Sequence, residues 1–224
     1  MSEPARAELL PIENQPLRVV VADMLRELIV NGRIKPGTPI VETALSEQLA
    51  VSRAPVREAI QILEADGLVE NVAYKGKRVK PLTAKSVEEV YSLREQLEVF
   101  AITRIVERRA DVAELHGIVA DMQHAADNGD FAALMAADEN FHRTIIRLAD
   151  HELLLTLWGT LFLRIRQIMA LRNSANPDLG TVARNHPPIV AALQGGDLER
   201  AIALISAHSR SASELNLAAL GVDP

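Results

Sequence analysis

Asp138 and His142 stand four residues apart in the stretch DENFH. On a helix, residues at i and i+4 are neighbours on one face. The pair can therefore offer a carboxylate oxygen and an imidazole nitrogen to the same point, and both are ligand atoms for a divalent transition ion. At this spacing an Asp–His pair is more often an exposed ion pair than a metal site, so further partners must decide. The chain has no cysteine, which leaves only histidines and carboxylates to build such a site. Its six histidines are at 116, 124, 142, 151, 186 and 208. His186 and His208 fall in later helical stretches with core-type Ile189, Val190, Leu193, Ile202 and Ile205, while Phe141, Ile145 and Ile146 accompany His142. Antiparallel neighbours in a bundle could aim His142, His186 and His208 into one interior. His116, His124 and His151 read as surface or helix-end residues. Residue types alone leave the pair open between an ion pair, a structural clamp, a sensor and an enzyme site.

A second chemistry lies upstream. Arg53 and Arg57 also stand at i and i+4, just after Ser52, a residue type suited to cap a helix. Two guanidinium groups near a helix N-terminus suit phosphate oxygens and guanine edges. The apolar stripe Val56, Ile60 and Leu63 lies on another face of that helix and must pack inward. Lys75 and Lys77 flank Gly76 at the tip of an expected hairpin, a shape able to lie along a groove. The net charge of −6 argues against a nucleic-acid partner, but its distribution does not. Residues 1–82 hold eleven basic and eleven acidic side chains, so the whole excess of acid lies downstream. Residues 71–80 hold four basic residues and no acidic one, and phosphates meet local charge.

The elements that must position these groups follow from periodicity. Apolar residues make up 48% of the chain and aromatics 3%, a composition that favours helix. Val19, Val20, Met24, Leu25 and Ile29 predict a helix from Pro16 to about Asn31. A short helix at about 42–49, a break at Ala50-Val51 and a capped helix from Ser52 to about Asp66 follow, closed by Gly67. LVENV and KRVKPL read as two short strands. After Pro81-Leu82-Thr83 six helices are expected, at 84–109, 111–128, 130–148, 150–173, 179–195 and 197–219. The fold class is mainly α, a winged helix-turn-helix with a small β-hairpin wing joined to an antiparallel six-helix bundle. The expected domains are a tail at 1–14, a DNA-binding domain at 15–82, a helical domain at 83–219 and a tail at 220–224. The N-terminus lacks the apolar core of a signal peptide, and the apolar run at 153–163 is too short to span a bilayer. A cytoplasmic chain with no membrane partner is expected.

The segment 26–82 resembles the N-terminal domain of the GntR superfamily of bacterial transcription regulators. The resemblance rests on Pro36-Gly37, Glu42, Leu45-Ser46-Glu47, the run VSRAPVREAIQILEADGLVE and Gly76. It implies operator contacts at Ser52, Arg53 and Arg57 and a wing at Lys75, Gly76 and Lys77. Ala50 stands where the family often has Gly, and Ala54 where many members have Thr, which removes one hydroxyl from the DNA-facing helix.

Residues 84–210 resemble the FCD ligand-binding domain of the FadR branch, with a helix count closer to VanR-type members. ADENFHRTI, RNHPPIVAALQGGDLERA and ISAHSRSA follow the order and spacing of its metal-binding members. By that resemblance Asp138, His142, His186 and His208 would be metal ligands. Asn185 stands where an acidic residue often precedes the histidine. Three imidazoles and one carboxylate suit Zn, Ni, Mn or Fe. The resemblance also places Arg94 facing the cavity as a clamp for a small organic acid, against the alternative of an ion pair with Glu98. Arg143 and Arg164 are further candidates for the acid. The expectation is a transcription regulator, a homodimer on a palindromic double-stranded operator and in the repressor sense, answering to an acid at a metal site. A purely structural metal is the alternative. An enzyme is not expected, since HExxH, nucleophile-elbow and phosphate-loop patterns are absent from the sequence.

Overall fold

A computed structural model describes residues 15–175 and 179–213 of the chain. The tails expected at 1–14 and 220–224, and the end of the last expected helix at 214–219, lie outside the described residues. The first unit opens with α1 (Leu17–Val30). Its buried residues are Val21, Ala22, Leu25, Ile29 and Val30, whereas Val20 and Met24 are exposed. The apolar stripe thus sits about one position on from the periodicity reading. Strand β1 (Pro39–Ile40), helices α2 (Glu42–Gln48) and α3 (Arg53–Ala65), and strands β2 (Val69–Val72) and β3 (Gly76–Val79) complete the unit. β1 was not expected; it pairs antiparallel with β3, which lies at the centre of a three-stranded sheet ordered β1-β3-β2. Val56, Ile60 and Leu63 are fully buried against α1 and the sheet.

Ser52 takes the N-cap position of α3 with extended backbone, but its hydroxyl makes no capping bond. Ala50, in the turn between α2 and α3, has φ +52°. A side chain is disfavoured in this left-handed region, which gives the physical reason a glycine suits the position.

The second unit holds seven helices among the described residues, not six. They are α4 (Ala84–Arg108), α5 (Ala113–Asp127), α6 (Phe131–Leu148), α7 (Glu152–Ala175), α8 (Leu179–Arg184), α9 (Pro187–Gln194) and α10 (Leu198–Ser213). The helix expected at 179–195 is broken at Asn185-His186, because Pro187 and Pro188 cannot donate into a continuing helix. Pro187 instead begins α9, where a missing N–H does no harm. Thr83 and Ser86 form a reciprocal capping box at the start of α4. The Asp130 side chain caps α6 through Ala133 N. α4 packs against α6, α7 and α10, and so forms the spine of the bundle.

By length and composition α7 is apolar enough to cross a membrane over Glu152–Leu171. Here it buries Trp158, Phe162, Ile165 and Ile168 in the bundle core. Its Leu163 packs against the core of the first unit, so α7 touches both units.

Ala50→Gly should stabilise the first unit by about 0.5 kcal/mol, the relief of left-handed strain less glycine's greater chain entropy. Thermal unfolding should show a midpoint raised by a degree or two. A lowered midpoint would mean Ala50 carries no strain.

Candidate functional site

Two stretches of α4 and α6 face each other at the centre of the bundle. α6 presents Asp138 and His142 inward, each about 2% exposed. The broken turn between α8 and α9 presents His186, fully buried, and α10 presents half-buried His208. One ligand atom from each of these four lies within 4.8 Å of all the others. That is near the span of opposite ligands around a single transition ion, about 4 Å for bonds of roughly 2.0–2.2 Å. The imidazole rings pack closely, with centroids 4.7 Å apart for His186 and His208 and 5.0 Å for His142 and His208. Phe141 stands edge-on to His186 at 4.6 Å and seals one side.

The proton positions can be argued from the partners. His186 Nδ1 lies 2.8 Å from the Val182 carbonyl and must carry its hydrogen to bond there. In the neutral ring Nε2 then keeps its lone pair, and it faces Asp138 Oδ1 at 3.1 Å. Asp138 Oδ2 has no hydrogen-bond partner, and His186 Nε2 makes no standard one. A close buried contact of this kind needs a cation between the two atoms, either a proton on Nε2 or a metal ion. The residues present therefore fit a metal ion. The second His142 nitrogen behaves alike. Nδ1 lies 2.6 Å from Glu98 Oε1, without standard hydrogen-bond geometry, and a hydrogen on Nδ1 toward that carboxylate would leave Nε2 as the ligand atom. His142 Nε2 meanwhile accepts from Arg94 Nη2 at 2.8 Å and lies 3.2 Å from His208 Nε2.

Glu98 is the residue that sequence reasoning undervalued. It is fully buried, pairs with Arg94 Nε at 3.3 Å and accepts from Ser209 Oγ at 2.9 Å. Arg94 is itself 1% exposed. Arg94 makes the i,i+4 ion pair with Glu98 and also places its guanidinium against His142 of the cluster. The signal for Glu98 was its shared face with Arg94. Burial alone would raise the Glu98 carboxyl, but the Arg94 guanidinium and the His142 ring outweigh it and hold it well below the usual range. Burial likewise opposes the charge on Asp138, and the His186 contact with the neighbouring imidazoles overcomes it. Burial, and then the nearby positive groups, push His142 down and His208 well down, toward the neutral rings that a metal needs.

Two expected acid contacts are not brought to the cluster. Arg143 points outward to Glu139, with its guanidinium over Phe162 at 5.2 Å. Arg164 donates to Gln167 and lies near the first unit, where Glu70 is its charge partner. Both are on the wrong faces of their helices for the cluster.

On the first unit Ser52, Arg53, Lys75 and Gly76 are exposed, and Arg53 and Arg57 share one open face of α3. Arg57 Nε pairs with Glu42 at 3.2 Å while remaining mostly exposed. Lys77 differs from expectation, since its ammonium bonds Glu64 at 2.7 Å and its side chain is only 21% exposed.

Residues 17–79 match the bacterial regulatory proteins of the gntR family, and residues 89–211 match the FCD domain. A protein of Paenarthrobacter nicotinovorans named "Probable D-xylose utilization operon transcriptional repressor" is 35% identical over 196 residues, covering 85% of this chain and 86% of that one. The crystal structure of a GntR transcriptional regulator from Rhodococcus sp. RHA1 superposes with a TM-score of 0.76 at 25% identity, covering 92% of this chain and 99% of that one. The Zn2+-bound FCD domain of TM0439 shares the fold, with a TM-score of 0.51 at 23% identity over 59% of this chain and 91% of that one.

Glu98→Ala should destabilise the bundle by about 3–5 kcal/mol, because it strands a buried guanidinium. Arg143→Ala, which breaks an exposed pair, should change stability by no more than about 0.5 kcal/mol. Denaturant unfolding compares them; equal effects would show that Glu98 is not the buried charge anchor.

Proposed function

The chain belongs to the bacterial regulatory proteins of the gntR family and carries their FCD domain, and on that premise we propose that it is a repressor released by a small organic acid bound at a metal site in the helical bundle. It is a DNA-binding transcription regulator with an effector-binding domain, and not an enzyme. The finer reading rests on one observation above the others, the convergence of one ligand atom each from Asp138, His142, His186 and His208 within 4.8 Å at the buried centre of the bundle.

Asp138, His142, His186 and His208 would hold the ion. Zn, Ni, Mn and Fe all suit this donor set. A bound divalent ion would supply Lewis-acid coordination to a carboxylate oxygen. Charge bookkeeping favours that order of events. With neutral rings, Arg94, Glu98 and Asp138 sum to one buried negative charge, which repels an anion. A divalent ion makes the sum positive by one, which suits a carboxylate. Arg94 Nη2 now donates to His142 Nε2. Once that lone pair is engaged by an ion, Arg94 loses its acceptor and its N–H is free for a carboxylate, a group Arg recognises well.

At the other end, Ser52, Arg53 and Arg57 of α3 and the wing at Lys75, Gly76 and Lys77 would meet operator DNA. Arg53 and Arg57 supply the paired contacts, while Lys77 must first leave Glu64. Exposed Leu93 and Phe100 on α4 and Leu153 and Leu157 on α7 support a homodimer, which would read a palindromic site. The cytoplasm, where its DNA lies, is the proposed location. The structural-metal alternative draws on the ligand count, since four groups would close a tetrahedral ion.

The test uses an operator fragment selected from random DNA and protein loaded with Zn2+. Malonate or citrate should weaken operator binding at least five-fold, Arg94→Gln should blunt that response while metal stays bound, and Arg53→Ala should weaken binding by about 1–3 kcal/mol at fixed salt. Indifference of the loaded protein to a panel of di- and tricarboxylates would leave the metal structural. Unchanged affinity in Arg53→Ala would remove that residue from the interface.

A further inference from the structure

The two units are tied by a polar contact that the sequence did not announce. Arg166 of α7 places Nη1 and Nη2 on the two carboxylate oxygens of Glu27 in α1, at 3.0 and 3.1 Å. Its remaining nitrogen, Nε, lies 3.2 Å from Glu139 Oε2 in α6. A guanidinium is a rigid planar fork, so one plate fixes Glu27 and Glu139 relative to each other. Glu139 adjoins Asp138, a candidate metal ligand, in sequence. Its other oxygen accepts from Arg143 Nη2 at 2.8 Å, and Arg143 is stacked on Phe162 of α7. Glu139 is thus gripped by two arginines and cannot shift without taking α7's side chains with it.

We propose that Arg166 couples occupancy of the α6 cluster to the position of the DNA-binding unit, with Glu139 as its input and Glu27 as its output. The proposal rests on the metal reading above. The four ligand atoms are unevenly spaced, within 4.8 Å of one another, with Asp138 Oδ1 3.1 Å from His186 Nε2 and 3.9 Å from His142 Nε2, so an ion that evens these separations to about 3–4 Å re-spaces the α6 ligands. That movement belongs to α6, and Glu139 rides on the same turn. Other contacts across the boundary include the charge interaction of Arg164 with Glu70 and two apolar ones that suit a pivot. Leu163 packs apolar surface against the first unit's core, and Leu171 lies against Gly32, which ends α1 with φ +71°. Apolar packing is non-directional and permits sliding, whereas the fork selects one angle. Glu27 is held ionised for the role, since the Arg166 hydrogen bonds pull its carboxyl below the ordinary range against the opposing effect of burial. The Glu27 side chain is 53% exposed, so the contact adds little to stability. Its value lies in being made in one arrangement of the units and broken in another, which is what a coupling contact requires.

Amide hydrogen exchange on the full chain, stripped with chelator and then loaded with Zn2+ alone, tests this. In the native protein Zn2+ should slow exchange in α6 around 138–146 and change exchange at 26–32 of α1 at least three-fold. Glu139→Gln, Arg166→Gln and Glu27→Gln should each keep the α6 response and reduce the α1 response to less than about 1.5-fold. Arg166→Lys, charged but without the fork, should behave like Arg166→Gln. An α1 response intact in these variants overturns the coupling role and leaves the metal reading standing. No α6 response in the native protein overturns the metal reading, and the coupling role with it.

Discussion

A buried imidazole turned on a buried carboxylate sets the terms for the whole helical domain. His186 is in that position because its other nitrogen is committed to the Val182 carbonyl. The commitment in turn needs the break between α8 and α9, which Pro187 enforces by lacking an N–H for a continuing helix. A straight helix through 179–195 would satisfy the Val182 carbonyl with a backbone N–H and release the ring. The two consecutive prolines are therefore part of the site as well as of the fold.

Around this constraint the bundle arranges charge economically. Arg94 and Glu98 neutralise each other at the core of α4, and Glu98 also lies 2.6 Å from His142 Nδ1. One carboxylate thereby meets both a guanidinium and an imidazole of the cluster. The burial of so many polar groups is a poor way to gain stability. It makes sense where a site must be preorganised, dry and responsive to added charge. The long α7 carries the consequence outward, since it shares core surface with both units.

Much of the first unit was legible because its information is local. The spacing of Val56, Ile60 and Leu63 fixes which face of α3 is buried, and Arg53 and Arg57 then have only the open face left. Strand β1 escaped notice because two residues show no periodicity. In α1 the stripe was misplaced by about one position, since that helix packs against α3 and α7 at once and a single-face pattern does not describe it. In the bundle, the convergence of His142, His186 and His208 could be anticipated from antiparallel helices. The placement of Arg143 and Arg164 could not, because helical rotation relative to neighbours is a tertiary property. Glu98 was visible at i+4 from Arg94, but i,i+4 ion pairs are usually solvated, and nothing in one sequence marks this one as dry. The Arg166 contact joins residues 139 positions apart and leaves no local trace.

The central claim is that Asp138, His142, His186 and His208 form one ion site. Titration calorimetry of Zn2+ into chelator-stripped protein tests it most directly. The account predicts one tight site per chain, and its loss in His186→Ala while Arg143→Ala still binds. Undiminished binding in His186→Ala, or only several weak sites per chain in the native protein, would contradict it.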